Sequence, residues 1–199
     1  MKINFIDLII VLLSYFIGSI SFGIIFTKYF KKKDVREADY PGTAGVTRQF
    51  GLSLGIFVFI FDVLKGVVVA LLSKNYSNSD LTIILSYIFL IIGNNYPIFF
   101  NFDGGQGLAT TIGFGFTLIP IYFLISFIIG LLFLVLYNIF KLKRIIKFIG
   151  PIPFGAIFGF IFLFIILIKN YPFYPYPFLV IIAGVLFLLR GLQMINRYK

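Results

Sequence analysis

The sequence predicts an all-α integral membrane protein, and three observations support this fold class. Of the 199 residues, 60% are hydrophobic and 20% are aromatic, far above the usage of soluble domains. The mean hydropathy is +1.06. The apolar residues form continuous runs of about 20, the length of a helix that spans a bilayer, without the alternation of a membrane β-barrel. Backbone polar groups at bilayer depth must be satisfied internally, so helices are expected.

Six apolar runs follow one another along the chain. They cover residues 4–27, 52–73, 81–100, 108–140, 148–168 and 178–195. The first run is too long for a signal peptide and lacks a clear cleavage site, so we interpret it as the first span. The fourth run is too long for one span, and Pro120 near its middle lacks the N–H group that a helix needs. We therefore predict that the fourth and fifth of seven segments form a hairpin bent near Pro120, with one short arm.

The distribution of Lys and Arg predicts the orientation of these seven segments. Cytoplasmic loops carry an excess of both residues, and such segments lie at 28–48 and 141–147. The loops predicted on the opposite side of the membrane hold Lys74 and Lys169 as their only basic residues. The sequence thus predicts a single seven-helix domain over residues 1–199, with the N-terminus out and the C-terminus in. The polar loops that follow the first, third and fifth spans would then share the cytoplasmic face with the C-terminal tail.

Two missing residue types limit the chemistry. The chain contains no Cys and no His, which excludes disulfides, thiolate catalysis and the commonest metal ligand. We predict no metal and no cofactor. Acid–base chemistry would have to use a carboxylate, Lys, Tyr or the substrate itself, and acyltransferases with a His-dependent motif are excluded. The net charge of +10 is attributed to membrane orientation, and no nucleic acid is expected as a partner.

Two polar, glycine-rich segments hold most of the candidate site residues. Residues 93–110 place Gly104, Gly105 and Gly107 before a helix, where free N–H groups and the helix dipole favour a phosphate. The Lys of a Walker loop is missing, so a nucleotide is not implied. Residues 42–48 read Gly-Thr-x-Gly-x-Thr-Arg, which offers N–H groups, hydroxyls and a guanidinium to an oxyanion. Each segment has a plain alternative, an ordinary turn between helices.

A charged pair lies inside the second predicted span. Asp62 and Lys65 are three residues apart and therefore share one helix face. Charged side chains in a span usually face the bundle interior and mark functional sites. A structural salt bridge is the equally weighted alternative. The small residues at 18–23 of the first span are interpreted as a close helix-packing surface.

The sequence resembles the acyl-phosphate:glycerol-3-phosphate acyltransferases (PlsY), a family of small seven-helix bacterial membrane enzymes. Residues 18–23 resemble the family's Gly-Ser-Ile-Pro-x-Gly, and residues 34–36 resemble its Asp-Ile-Arg. Residues 62–66 resemble its Asp-x-x-Lys-Gly. The strongest match covers residues 93–110, which follow Gly-His-Asn-x-x-Pro-x-Phe and then Phe-Lys-Gly-Gly-Lys-Gly-x-Ala-Thr. The likeness extends over most of the chain.

The resemblance implies transfer of a fatty acyl group from acyl phosphate to the 1-hydroxyl of glycerol 3-phosphate. The products are lysophosphatidate and phosphate, and the reaction is the first step of phospholipid synthesis. Acyl phosphate is already activated, so catalysis can rest on binding, orientation and charge stabilisation. A mechanism proposed for the family lets the substrate's own phosphate take the hydroxyl proton. The implied location is the bacterial inner membrane, with the active face in the cytoplasm and the lipid bilayer as a partner.

The sequence departs from the family pattern at several charged positions. Asn94 stands where the family has His, and Asp103 and Gln106 stand where it has Lys. The serine-bearing third motif corresponds to residues 147–151, which contain no serine. Either other cations supply the charge or the substrate differs. These cations are Arg36, Arg48, Lys65, Arg190 and Arg197.

The residues and the resemblance together give a set of candidates for binding substrate and phosphate, with no catalytic residue assigned. They are Arg36, Thr43, Thr47, Arg48, Asp62, Lys65, Asn94, Asn95, Gly104, Gly105, Gln106, Gly107, Thr110, Arg190, Gln193, Asn196 and Arg197. The leading hypothesis is a divergent acyltransferase. The alternative is a non-catalytic paralogue that binds a lipid phosphate, or a small carrier of lipids or anions.

Overall fold

A computed structural model describes residues 3–77, 79–144, 150–171 and 175–197, and their side chains except those of 144 and 195–197. These ranges contain helices and no strand, which confirms the all-α class. The α-helices are α1 (Phe5–Gly18), α2 (Phe22–Lys31), α3 (Thr43–Phe50), α4 (Leu52–Tyr76), α5 (Asp80–Asn95), α6 (Leu108–Leu118), α7 (Pro120–Ile139), α8 (Pro151–Asn170) and α9 (Tyr176–Arg197).

Six helical stretches in the described part of the chain are long and apolar enough to cross a membrane. They are Phe5–Lys31, Leu52–Tyr76, Asp80–Phe100, Pro120–Ile139, Pro151–Asn170 and Tyr176–Met194. The integral membrane class is therefore confirmed. The seventh segment expected from the sequence corresponds to α6, whose 11 residues are fewer than the roughly 20 that a full span needs.

The long fourth apolar run is divided where the sequence predicts. Helix α6 ends at Leu118, and α7 begins at Pro120, which occupies its first turn. The first N–H groups of a helix have no partner within it, so proline is tolerated there. The chain forms two helices instead of one because proline cannot continue α6.

The chain divides into two compact units, residues 1–118 with 185–199, and residues 119–184. In the second unit, α7 and α8 pack closely because glycine residues, which have no side chain, lie at their contact. A Cβ atom on Gly155 would collide with the carbonyl oxygen of Gly130. The rings of Phe133 and Phe158 stack beside this contact, with centroids 4.0 Å apart. The single seven-helix domain stays a prediction.

Small residues also determine the packing of the first unit. A Cβ on Gly18 would collide with the carbonyl oxygen of Leu90, and one on Gly93 with that of Tyr15. These contacts bring the C-terminal ends of α1 and α5 together. The packing role expected for the small residues of the first span is therefore observed at Gly18.

Helices α4 and α6 approach each other in the same way. A Cβ on Gly66 would collide with the carbonyl oxygen of Thr110, and one on Gly113 with that of Val63. A buried cluster then links α2, α3 and α4 and includes Ile24, Val35, Val46, Leu54 and Val58. The C-terminal ends of α1 and α5, the middle of α4 and the start of α6 therefore enclose one region of the first unit.

Candidate phosphate-binding site

The glycine loop, residues 104–107, lies between the C-terminal end of α5 and the start of α6. It folds back on α5 through two backbone hydrogen bonds. Gly104 N donates to Asn95 O at 3.1 Å, and Gly105 N donates to Asn94 O at 3.1 Å. The last turn of α5 therefore gains partners for two carbonyl groups that a helix end leaves free.

Asn95 and Arg190 hold the carbonyl groups of the loop. The side-chain amide of Asn95 is oriented so that its nitrogen donates to Gly105 O at 3.2 Å and to Gln106 O at 3.1 Å, which satisfies its hydrogen bonds. Arg190 of α9 donates to Gly104 O at 2.7 Å and to Gly105 O at 3.3 Å. Both side chains are buried, Asn95 at 2% and Arg190 at 8% exposure.

The fixed carbonyl groups determine where the loop's N–H groups point. In a trans peptide the N–H lies opposite the C=O, so the N–H groups of Gln106 and Gly107 point away from Asn95. Among the described residues, neither N–H group has a hydrogen-bond acceptor. Gly107 has φ +87°, which favours glycine. With the first turn of α6, these N–H groups form a cradle suited to an oxyanion, and we call it the oxyanion cradle.

Lys65 is buried and contacts Asn94, which borders this cradle. Its Nζ is 2.8 Å from Asp62 Oδ1 and donates to Asn94 Oδ1 at 2.6 Å. It also lies within hydrogen-bond distance of Ile20 O at 3.2 Å and Gly18 O at 3.4 Å. The two carbonyl groups belong to the break between α1 and α2. The ammonium group therefore joins three parts of the bundle, and the ion pair expected in the second span is present.

Asn94 receives a second hydrogen bond at the same oxygen. Thr110 Oγ1 of α6 donates to Asn94 Oδ1 at 3.4 Å. Thr110 is fully buried, and Asn94 is 7% exposed. The side-chain oxygen of Asn94 is thus fixed from α4 and from α6.

Arg190 is held by further contacts on α9 and with Tyr96, the residue that follows α5. Its Nη1 donates to Gln193 Oε1 at 3.2 Å, and its guanidinium lies 5.0 Å from the centre of the Tyr96 ring. The Tyr96 hydroxyl donates to Gln193 Oε1 at 2.7 Å. Two candidates from the sequence, Arg190 and Gln193, therefore meet at the loop, together with Tyr96, which sequence reasoning missed.

Asp103 lies between two candidate arginines. Its carboxylate oxygens are 3.5 Å from Arg190 Nη2 and 3.9 Å from Arg36 Nη1. Arg36 also donates to Asp34 at 2.7 and 3.0 Å and to Phe100 O at 2.9 Å. This guanidinium lowers the pKa of Asp34 well below its usual range. A carboxylate thus occupies the place where the related family has Lys.

A cleft of about 500 Å³ opens beside these charges. It is lined by Asp34, Arg36, Glu37, Asn101, Phe102, Asp103 and Arg190. Asn101 and Phe102 both have positive φ angles, of 56° and 57°. Such angles are uncommon for residues other than glycine and cluster at functional sites.

The polar segment at residues 42–48 does not approach the glycine loop through its candidate residues Thr43, Thr47 and Arg48. Arg48 donates to Asp39 at 2.7 and 2.8 Å, its side chain is 53% exposed, and this pairing raises its pKa above the usual value. Thr47 donates to the Thr43 carbonyl within α3. Pro41 and Gly42 are near the loop instead: a Cβ on Gly105 would lie 3.7 Å from Pro41 O and 3.8 Å from Gly42 Cα.

The described candidate cations share one property, an aspartate partner. The pairs are Arg36 with Asp34, Arg48 with Asp39, Lys65 with Asp62, and Arg190 with Asp103. Short spacing reveals the first and third pairs in the sequence, whereas the other two depend on tertiary structure. The side chains of Asn196 and Arg197 lie outside the described residues, as does most of the third motif.

Known proteins resemble this chain over most of its length. The model of the family described as glycerol-3-phosphate acyltransferase matches residues 8–198. A glycerol-3-phosphate acyltransferase of Aquifex aeolicus is 34% identical over 193 residues, which are 96% of this chain and 94% of the relative. A relative of the same name from Legionella pneumophila is 35% identical over 134 residues, 66% of this chain. The match covers 47% of that relative, so the chain spans about half the length of this Legionella protein.

Solved structures resemble the chain as well. One is PlsY, an integral membrane glycerol 3-phosphate acyltransferase, in its glycerol 3-phosphate form, with a TM-score of 0.77 and 30% identity. The likeness covers 96% of this chain and 90% of PlsY. The lysophosphatidic acid form of PlsY gives a TM-score of 0.75. From the matched family model, the near full-length Aquifex relative and these structures, the chain belongs to the glycerol-3-phosphate acyltransferase family.

Proposed function

We propose that this protein transfers a fatty acyl group from acyl phosphate to the 1-hydroxyl of glycerol 3-phosphate. The observation that carries the proposal is the oxyanion cradle, in which the N–H groups of Gln106 and Gly107 face away from the carbonyl groups held by Asn95 and Arg190. Such N–H groups at a helix N-terminus favour a phosphate, and here it would be that of acyl phosphate.

The reaction suits a chain without His or Cys. The hydroxyl oxygen forms an ester bond with the acyl carbon, and the bond from that carbon to the phosphate oxygen breaks. The hydroxyl proton passes to a phosphate oxygen of the substrates. The products are lysophosphatidate and inorganic phosphate, and the protein contributes binding, orientation and stabilisation of the leaving phosphate.

The acceptor is proposed from the family. PlsY is known in forms with glycerol 3-phosphate and with lysophosphatidic acid. In this chain the cleft with Arg36, Asp103 and Arg190 lies beside the glycine loop and supports the same class of acceptor. The other binding candidates from the sequence remain part of the proposal, except Lys65, whose ammonium group is occupied by acceptors of the protein.

Turnover by purified protein tests the activity. The protein is reconstituted in vesicles with palmitoyl phosphate and labelled glycerol 3-phosphate, beside an active family member at the same level. We expect labelled lysophosphatidate and an equal amount of phosphate. Well-folded protein that forms no lysophosphatidate under these conditions would contradict the proposal.

A non-catalytic paralogue that binds a lipid phosphate is the second candidate function. It is favoured by the aspartate partner of each described candidate cation, because paired cations contribute less charge to a bound phosphate. This candidate predicts that acyl phosphate or phospholipid raises the melting temperature without product formation. Lysophosphatidate formation rules it out.

We also propose a seven-segment topology in a bacterial inner membrane, with the N-terminus out, the C-terminus in and the active face in the cytoplasm. The shared position of the C-terminal ends of α1 and α5 supports it, since both helices would run inward. Helix α6 would be the short arm of the bent hairpin, and its 11 residues extend about 17 Å.

The absence of cysteine makes this topology easy to test. Single variants Lys33→Cys and Asn75→Cys place a thiol at exposed positions after α2 and near the end of α4. An impermeant maleimide should label Asn75→Cys in intact cells, and Lys33→Cys only after permeabilisation. The reverse pattern would contradict the proposed orientation.

A further inference from the structure

The ammonium group of Lys65 is fully engaged. Its Nζ carries three protons and faces four oxygen acceptors within 3.4 Å, those of Asp62, Asn94, Ile20 and Gly18. The residue is 5% exposed. Lys65 therefore has no proton left for a phosphate, although the sequence suggests it as a phosphate ligand.

The contact with Lys65 determines the orientation of the Asn94 amide. Lys65 and Thr110 both donate to Asn94 Oδ1, at 2.6 and 3.4 Å. A charged donor at 2.6 Å requires the oxygen, not the nitrogen, on that side. The amide nitrogen of Asn94 therefore points to the opposite side.

On that side the nitrogen faces the oxyanion cradle. Cβ atoms placed on Gly105 and Gly107 would each lie 3.4 Å from Asn94 Nδ2. The side-chain amide of Asn95 lies 3.5 Å away, and the atom that it presents is its nitrogen, which donates elsewhere and cannot accept. Within the ranges that the structure describes, Asn94 Nδ2 thus has no acceptor, although the side chain is only 7% exposed. A buried donor without a partner is costly, so an acceptor from a ligand is expected here.

We infer that Lys65 is a positioning residue that fixes the Asn94 amide, and that Asn94 Nδ2 completes the oxyanion cradle as a neutral donor to the phosphate. This inference rests on the proposed phosphate site. The cradle then consists of uncharged donors, the N–H groups of Gln106 and Gly107 and the amide of Asn94. Lys65 acts on the phosphate only through Asn94.

The variant Asn94→Asp tests the donor. The carboxylate keeps an oxygen for Lys65 but replaces the nitrogen by a second oxygen that repels phosphate. Binding of inorganic phosphate to the purified protein in detergent is measured by calorimetry and by the shift of melting temperature. We expect the affinity for phosphate to fall about ten- to a hundredfold, which is the effect of losing one charge-assisted hydrogen bond.

Asn75→Asp is the matched control, since it makes the same change at an exposed position of α4 and should leave phosphate affinity unchanged. If Asn94→Asp does not fold, Asn94→Ala is measured in the same way with the same expected direction. Unchanged phosphate affinity in the folded variant overturns the inference.

A double-mutant cycle tests the positioning role of Lys65. Asp62→Asn with Lys65→Met removes both charges together, so that neither is left buried alone. We expect this pair to weaken phosphate binding about tenfold in the native background and to have no further effect in the Asn94→Ala background. Additive losses would mean that Lys65 binds phosphate itself. A lower melting temperature with unchanged phosphate affinity would mean that Lys65 only stabilises the fold, and either result overturns its role.

The binding measurement separates this inference from the proposed activity. If the native protein binds phosphate but forms no lysophosphatidate, the activity proposal fails while the inference is decided by Asn94→Asp. If the native protein is active and Asn94→Asp binds phosphate normally, only the inference fails. A native protein that does not bind phosphate overturns it as well.

Discussion

Arg190 donates to the carbonyl oxygen of Gly104 at 2.7 Å and thereby joins α9 to a loop 86 residues earlier in the chain. The same guanidinium reaches Gly105 O and lies beside Asp103. The orientation of the glycine loop therefore depends on a side chain near the C-terminal end of the chain.

Replacing Arg190 should loosen this loop. Arg190→Ala leaves the buried carbonyl group of Gly104 without its donor and takes one of two donors from that of Gly105, so it should destabilise the protein by about 2 kcal/mol. We expect Arg190→Lys to recover only part of that loss, because a point charge cannot reach both carbonyl groups as the planar fork does. Thermal unfolding in detergent measures the effect, with the exposed Lys143→Ala as control. Full recovery by Lys would argue against the fork geometry.

The charge of Asp103 should weaken binding of an anionic acceptor. The cleft is lined by two arginines and three carboxylates, Asp34, Glu37 and Asp103. Asp103→Asn removes one negative charge and should lower the KM for glycerol 3-phosphate by about fivefold, or about 1 kcal/mol, at low salt. The difference should shrink as salt is added. A raised KM would show that Asp103 holds the arginines in place rather than opposing the substrate.

The backbone angle at Gly107 should matter for binding, and Gly51 provides the control. Both glycines have positive φ, 87° and 92°, so alanine at either position strains the backbone by about 1–2 kcal/mol. Gly51 has open space around it, whereas Gly107 lies in the cradle. We therefore expect both variants to lower the melting temperature, Gly107→Ala more strongly because its Cβ would lie 3.1 Å from Ile91 Cδ1, but weaker phosphate binding in Gly107→Ala only. Equal phosphate affinities would count against the cradle.

The pairing of Asp34 should produce a defined pH dependence of stability. Its folded-state pKa lies below the ordinary value because Arg36 donates to both carboxylate oxygens. A carboxyl group with a lowered pKa stabilises the fold at pH values above its ordinary pKa of about 4. This stabilisation is lost as the pH falls below that value. Asp34→Asn should therefore lower stability by about 1 kcal/mol at neutral pH through loss of the ion pair, since the amide oxygen of Asn can still accept from Arg36 N.

Thermal melts of the native protein and Asp34→Asn from neutral to acidic pH check this expectation. The difference in melting temperature should be constant down to pH of about 4 and shrink below it. A difference that grows on acidification would have the opposite sign and contradict the ion pair.

Much of the candidate site was predictable because its residues are close in sequence. The glycine loop follows a helix and precedes another, and Asp62 and Lys65 share a helix face at a spacing of three residues. Arg48 illustrates the opposite case. The motif suggests a phosphate ligand, but the fold places Asp39 within 2.8 Å of its guanidinium.

The sequence by itself determined the membrane class, the helix break at Pro120 and the glycine loop, because hydropathy, a missing N–H group and backbone freedom act locally. Only the tertiary structure decided which charges from distant parts of the sequence meet. Asp103 lies beside Arg190, and Lys65 turns its protons to Asn94 and to the break after α1. The physical reason is that these contacts depend on how closely α1, α4, α5 and α6 approach one another, which glycine contacts across helices determine.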